Sequence, residues 1–336
     1  MRKTILVTGG SGVVGQALLE QLTEERVICL TRHRPIMHQN DQQSVTTVSG
    51  DIRHPRLGLH EAQYQALARQ ADWVIHAAAN TDFTRPLQEL RECNVAGARH
   101  MATFARAANA PLIHVSTAFV QARNGHKLNH YERSKREAEA VVRQSGVPAT
   151  IVRPSIIIGD SQSGVIGKQQ GIHRMIRLLL TGILPAVPGS AASRIDFVPQ
   201  DQVAAAIVGL LRQNSVGGEY WLTAGETALP LQDGLAILVE RASRILERQI
   251  PMPKLVAPAV FERMLGQRVL STLTAKHRQL VEESLGLFKY MTMGDPFVSS
   301  FGELQQQIGL AALPNPHATF GRNLEYIVRY NLGRDG

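Results

Sequence analysis

TILVTGGSGVVG, residues 4–15, is the stretch from which the fold follows. Five strand-forming residues run into a turn of small ones, and an amphipathic helical pattern begins at Val13. Gly9, Gly12 and Gly15 recur every third residue across that turn. Such spacing lets a backbone bend tightly, approach a pyrophosphate closely and aim the N-terminus of the next helix at it. Thr8, Gly9, Gly10, Ser11, Gly12, Val13, Val14 and Gly15 are therefore expected to bind phosphate. Further strand-like runs follow at RVICLT (26–31), VTTVS (45–49), WVIHAA (73–78), LIHVST (112–117) and ATIVR (149–153). Helical patterns at 13–24, 61–70, 87–108 and 131–144 lie between them. This alternation predicts an α/β fold with a doubly wound parallel sheet, whose ligand site lies beyond the carboxyl ends of the strands.

After Arg153-Pro154 the rhythm breaks. A Gly/Ser-rich stretch, GDSQSGVIGKQQG (159–171), precedes an apolar helix near 175–184 and a segment punctuated by Pro and Gly, LPAVPGSAAS (184–193). IDFV (195–198), a helix over 201–212 and EYWLT (219–223) read as a return to the sheet, and the chain is mostly helical in pattern from about residue 229. The expected division is a nucleotide-binding domain over 1–160, joined again by 195–228, and a smaller, mostly helical substrate lobe from 161–194 and 229–336.

With 336 residues and 44% hydrophobic content the chain can bury a sizeable core. The start, MRKTILVTGG, lacks the apolar run of a secretory signal, which makes Met1 the expected mature terminus. The apolar helix near 175–184 is interrupted by Arg174 and Arg177 and is too short to span a bilayer. Only Cys29 and Cys93 occur, one in a strand pattern and one in a helical pattern, so neither a disulfide framework nor a zinc site is expected and a cytoplasmic setting fits. His126 and His130 have the spacing of metal ligands but no carboxylate or thiol beside them, and no metal is expected. The net charge of +8 suits an anionic partner such as a phosphorylated cofactor or a phosphopantetheine carrier. Its Lys and Arg residues are scattered, which argues against nucleic acid.

The second strand ends in Leu30-Thr31-Arg32-His33-Arg34, where an NAD enzyme places an acid for the ribose 2′-hydroxyl. Arg32, with Arg34 as a second candidate, instead offers a charge-assisted contact to a 2′-phosphate, which selects NADPH. Asp51, followed by Ile52 after the third strand, is placed to accept a hydrogen bond from the adenine amino group. Ala77, Ala78 and Ala79 after the fourth strand supply small side chains beneath a dinucleotide.

Tyr131 and Lys135 stand four residues apart on one face of a helix. An unperturbed phenol is a poor proton shuttle at neutral pH, and a neighbouring ammonium is expected to lower its pKa. Hydride transfer to a carbonyl needs such a donor for the nascent alkoxide. Ser116 and Thr117, at a strand end about 14 residues earlier in the chain, can hydrogen-bond the same substrate oxygen.

Together, Thr8 to Gly15, Asp51, Asn94-Val95-x-Gly97, Val115-Ser116-Thr117 and Tyr131 to Lys135 resemble the extended short-chain dehydrogenase/reductases, over about residues 1–225. The resemblance implies a Rossmann domain with Thr117, Tyr131 and Lys135 as the catalytic triad and Asn94 supporting Lys135 through water. It also implies that Ser116, Tyr131 and Lys135 reach the cofactor, and that Pro154, Ser155 and the run 156–158 line the nicotinamide pocket. More narrowly, GDIRHPRLGL (50–59), VIHAAANTDFTRPLQELRECNVAG (74–97), HVSTAFV (114–120) and VRPSIIIGDSQSG (152–164) are similar to the thioester reductase domains and fatty acyl-CoA reductases, the male-sterility-like branch. That branch implies hydride transfer from NADPH to an acyl thioester on CoA or a carrier protein, giving an aldehyde or alcohol. No adenylation or carrier segment accompanies the motifs, and the last 110 or so residues carry none that can be assigned. A sugar-nucleotide epimerase or dehydratase, or a sterol-type alcohol dehydrogenase, would use the same Tyr/Lys machinery. A non-catalytic NADP(H) sensor would not need Thr117, Tyr131 and Lys135 together. A homodimer is left open.

Overall fold

A computed structural model describes residues 2–32, 45–121, 127–168, 171–184, 186–264, 274, 278, 281, 287–292 and 294–332. The strand expectations hold: β1 (Thr4–Thr8), β2 (Arg26–Thr31), β3 (Val45–Ser49), β4 (Trp73–His76), β5 (Leu112–Val115) and β6 (Ala149–Pro154) all form. Small pairings are made by β7 (Ile156–Ile158), β8 (Ala186–Pro188), β9 (Arg194–Ile195) and β10 (Phe197–Pro199) with one another or with later strands. EYWLT supplies β11 (Glu219–Leu222), which lies parallel beside β6 and makes the sheet seven-stranded, in the order β11-β6-β5-β4-β1-β2-β3. β4 and β5 end earlier than their apolar runs. Ala77–Ala79 and Ser116–Thr117 therefore fall just past the strand ends, where an open doubly wound sheet binds its ligand.

Alternate side chains of each strand feed two cores. Leu6, Ile28, Val74, Leu112 and Ile151 pack under α2 (Glu61–Ala68), α4 (Ala96–Ala108) and α5 (His130–Gln144). Ile5, Val7, Val27, Ile75, Ile113 and Val152 pack on the other face, under α1 (Val13–Gln21) and α7 (Gln200–Arg212). A third core joins α6 (Gly171–Leu180) to α8 (Leu231–Ile245) and to the C-terminal helix Pro316–Ile327. Among the described residues no helix is long and apolar enough to cross a membrane.

Two local departures from simple periodicity have identifiable causes. The helical pattern 87–108 is broken into α3 (Leu87–Leu90), a π-helical turn Arg91–Val95 and α4, and the turn rotates the buried Asn94 inward. IDFV splits because Asp196, between β9 and β10, turns its buried carboxylate to the backbone N–H groups of Ala224 and Gly225, at 2.7 and 3.1 Å. β9 then pairs with Leu229–Pro230 and β10 with β7, rather than with the main sheet.

The edge position of β11 is fixed by charge. Arg153 on β6 is held by Glu139 of α5 (2.8 Å) and Glu219 of β11 (2.6 Å), with its guanidinium 4.7 Å from the Trp221 ring. Arg143, with Arg153 behind it, holds the Glu219 carboxyl at about 2 against the opposing effect of burial. Removing one member of such a buried network leaves an uncompensated interior charge, so the cluster specifies where α5 and β11 sit more than it adds net stability.

Candidate active site

The glycine turn is built by contact with the end of β4. Gly9 has φ +78°, and a Cβ there would lie 2.6 Å from the backbone of Ala77 and Ala78. Gly12 N–H donates to the Gly9 carbonyl at 2.8 Å, and a Cβ on Gly15 would strike Gly9 and Gly10. The Ala77 N–H donates to the Thr8 carbonyl (3.2 Å) and the Ala78 N–H to Thr8 Oγ1 (3.3 Å). Val13 and Gly15 are buried in the first turns of α1, Ser11 is exposed, and Ala77–Ala79 are half-buried, so turn and alanines form one continuous cradle of small groups.

Arg32 closes β2 at the same sheet end and is exposed. Its charge acts on Asp51, which receives the Arg53 backbone N–H at 2.9 Å and the Arg53 guanidinium at 2.6 Å. Burial would raise the Asp51 carboxyl, yet the Arg53 bonds hold it below its ordinary value. An adenine amino group at Asp51 would share the carboxylate with Arg53. Ile52 is buried, and a Cβ on Gly97 would come within 2.8 Å of its Cδ1, so a larger residue there would push the Ile52 side chain aside. Arg34 and His126 lie outside the described residues. His130 Nδ1 lies 3.3 Å from the Arg85 carbonyl.

Tyr131 and Lys135 are presented by α5, which begins one residue earlier than the periodicity predicts. Asn129 caps it, accepting the Glu132 N–H while the Glu132 side chain accepts that of Asn129, in a reciprocal capping box. Thr117 lies close enough to the Tyr131 phenol to act on it as a hydrogen-bonding neighbour, which favours the ionised form. Thr117 Oγ1 also lies 3.5 Å from the Pro154 carbonyl, which joins the ends of β5 and β6. Lys135 Nζ donates to the Val115 carbonyl at 2.8 Å. Asn94 Oδ1 accepts from the Asn80 N–H (2.7 Å), and its Nδ2 donates to Ser134 Oγ (2.9 Å) and to the Asn80 carbonyl (3.0 Å). Ser134 Oγ in turn donates to the Tyr131 carbonyl at 2.7 Å. Asn94 thus grips the helix between Tyr131 and Lys135 by a direct bond, through a serine that the motif reading passed over.

The electrostatics differ from the expected phenolate. Burial, helped by the Glu132 charge, raises the Tyr131 phenol, and the Thr117 bond offsets only part of this. Burial also lowers Lys135 to about 8, against the pull of Glu139 and Cys93. Desolvation is the largest cause for both groups and favours the neutral form of each. Near neutral pH the site therefore presents a phenol O–H, which is the form that donates a proton.

Three aromatic residues wall the phenol, and none was indicated by a sequence motif of its own. Phe83 meets Tyr131 edge-on at 5.2 Å and Tyr290 at 5.9 Å, while Phe119 stacks on Tyr290 at 3.7 Å. Tyr290 is bonded to Asn129 Nδ2 at 3.5 Å, so the C-terminal part of the chain reaches the start of α5. Elsewhere in the third core a small apolar cavity lies among Ile172, Met175, Ile176, Leu179, Leu235 and Phe320.

The residues fit a dinucleotide on two independent observations. At Gly9 and Gly15 a Cβ would strike backbone, which keeps the turn at the start of α1 to bare main chain, the form that can approach a pyrophosphate. Ser116 Oγ and Ser155 Oγ, at the ends of β5 and β6, are buried with no hydrogen-bond partner among the described residues. A parallel sheet of this order with a glycine turn at β1 and a Thr117/Tyr131/Lys135 cluster beyond β5 defines an extended short-chain dehydrogenase/reductase fold. Within that class the chain belongs to the NAD-binding male sterility protein family, whose model matches residues 33–207, more than half of it.

The hybrid PKS-NRPS synthetase pvhA of Talaromyces variabilis is 28% identical over 229 residues, covering 62% of this chain and 6% of the synthetase. The chain spans only 5–20% of the length of such curated relatives. Among solved structures, the terminal R domain from the myxalamid PKS-NRPS biosynthetic pathway superposes with a TM-score of 0.78 at 24% identity, covering 98% of this chain and 91% of that one. A thiolation-reductase di-domain from an archaeal non-ribosomal peptide synthetase gives 0.70 at 16% identity, covering 99% and 76%. These superpositions extend the shared fold across the C-terminal region, where the sequence motifs are silent.

Proposed function

We propose that the protein is an NADPH-dependent reductase acting on an acyl thioester, borne by CoA or a carrier protein, and releasing an aldehyde that it reduces further or lets go. The observation that carries this reading is the buried Thr117–Tyr131 pair, with Lys135 one helical turn away, at the strand ends beyond the glycine cradle. The family, and relatives and neighbours named as synthetases and reductase domains, support it.

In this reading Thr8 to Gly15 hold the pyrophosphate, Arg32 the 2′-phosphate, and Asp51 and Ile52 the adenine side. Ala77–Ala79 lie under the dinucleotide, and Ser116, Pro154 and Ser155 flank the nicotinamide. The cofactor supplies the hydride. Thr117 and Tyr131 hold the substrate carbonyl oxygen, and the Tyr131 O–H gives its proton as negative charge develops there. The resulting hemithioacetal breaks its C–S bond, the thiol leaves with a proton, and the aldehyde remains. Lys135 fixes the nicotinamide ribose and returns a proton to Tyr131, while Asn94 and Ser134 hold the helix that carries both. The lobe formed by 161–194 and 229–336 takes the acyl part along α6. The phosphopantetheine of a carrier would enter over a basic surface.

Cofactor choice is tested at Arg32. Arg32→Ala is expected to weaken NADPH binding by about 1.5–3 kcal/mol, the scale of a charge-assisted hydrogen bond, and to leave NADH almost unaffected. Equal losses for the two cofactors in a fluorescence titration would remove Arg32 as the phosphate clamp. Substrate class is tested by NADPH oxidation across acyl-CoAs, carrier-borne acyl groups, aldehydes and nucleotide sugars. Turnover of nucleotide sugars alone would overturn the thioester assignment.

A further inference from the structure

Two buried imidazoles are left unused by the chemistry above. His76 on β4 and His114 on β5 are register partners, 1% and 0% exposed, with ring centroids 5.3 Å apart. By strand alternation both project to the face covered by α4 and α5, the face that carries Lys135. Thr8 Oγ1 lies 2.8 Å from His76 Nδ1 and already accepts the Ala78 N–H. A threonine hydroxyl can donate to Nδ1 or accept a second hydrogen from it, so this contact satisfies Nδ1 in either tautomer and does not reach Nε2. That Nε2 and both nitrogens of His114 have no hydrogen-bond partner among the described residues. Leaving such groups dry in the interior is costly, a cost that leucine at these positions would avoid.

We propose that His76 and His114 bind internal water between their rings and, through it, position the Lys135 ammonium from the sheet side, as Asn94 and Ser134 position its helix from the other. A polar interior site with several unpaired ring nitrogens is the setting in which buried water is retained. The Lys135 charge acts on both rings, and His76 is driven down to about 3, mainly by burial and then by Lys135. The pair thus stays uncharged while Lys135 is an ammonium, each neutral ring offering one N–H donor and one bare nitrogen as acceptor. The other charged or titratable groups facing this cluster are Cys93 from the π-turn, Glu139 and Arg143 from α5 and Arg153 from β6. His76 and His114 are positioning residues, and the use of Lys135 in turnover rests on the reductase reading.

The test uses the full chain with ¹³C-labelled lysine and ¹⁵N-labelled histidine. In the wild type one lysine is expected to titrate near 8. His114→Leu removes the ring and its acceptor nitrogen and is expected to move that midpoint down by roughly half a pH unit or more, because the ammonium loses solvation. His114→Gln, which keeps a polar group, is expected to restore most of it. His76→Leu is expected to shift the midpoint in the same direction and carries the test if His114→Leu does not fold. Histidine spectra should show both rings uncharged at pH 5. With an accepted substrate, the alkaline limb of the kcat profile should follow the lysine midpoint while NADPH affinity stays constant. An unmoved lysine midpoint in the leucine variants would overturn the proposal and make the rings core filler. A moved midpoint in a protein that turns over no thioester would leave the pair standing and count against the reductase reading alone.

Discussion

Tyr131→Phe is expected to lower kcat by about a hundredfold or more while NADPH still binds, because the ring stays in place and only the proton donor is lost. The Phe83 edge contact survives the change, since it is made by the ring and not by the hydroxyl. Thr117 loses its partner but keeps its contact near the Pro154 carbonyl, so the site should not collapse. Single-turnover kinetics separate the chemical step from binding. Lys135→Ala is expected to lose both rate and cofactor affinity, since Lys135 is assigned to the ribose as well as to the proton path. Near-normal turnover of Tyr131→Phe on every accepted substrate would remove the phenol from the mechanism.

Gly9→Val is expected to reduce NADPH affinity by more than about a hundredfold and to lower the Tm as well. Two penalties coincide at this position. A β-branched residue at φ +78° is strained by about 1–2 kcal/mol, and its Cβ would stand 2.6 Å from backbone atoms of Ala77 and Ala78 that cannot swing aside. The turn would have to lift off the end of β4, breaking the Thr8–Ala78 contact and closing the space meant for the pyrophosphate. Gly12→Ala is a graded control, because its Cβ would meet only the Gly9 carbonyl, at 3.1 Å, without positive φ. The check is a fluorescence titration with NADPH alongside thermal melts of both variants. Wild-type affinity in Gly9→Val would mean that the cofactor does not lie against this turn.

Much of the sheet was legible because its strands are buried on both faces and read as continuous Val, Ile and Leu runs between glycine or polar punctuation. The Thr117, Tyr131 and Lys135 cluster was legible for a different reason: its spacing is local to one strand end and one helix. Asn94 was visible as a residue, but its direct link to Ser134 depends on a π-helical turn, and no 3.6-residue period reports where such a turn will insert. Phe83, Phe119 and Tyr290 are brought together from three distant segments, and a single aromatic residue in a sequence reads equally well as core. The Asp196 break in IDFV was hidden for a similar reason, since its partners are backbone N–H groups nearly thirty residues away. The expected lowering of the Tyr131 phenol by Lys135 failed because a sequence gives the distance between two groups along a helix but not how much water surrounds them. Arg34 and His126 fall outside the described residues, so Arg32 alone carries the phosphate argument.

The central claim is hydride transfer from a nicotinamide to a thioester carbonyl. Its most direct measurement uses NADPH deuterated at the transferring C4 position with an acyl group on a phosphopantetheine-bearing carrier or on CoA, followed by mass spectrometry of the product. The account predicts an aldehyde, or the alcohol formed from it, carrying deuterium at the former carbonyl carbon, with release of free thiol. Unlabelled acyl product, or intact thioester beside a nucleotide sugar converted without net NADPH consumption, would contradict it.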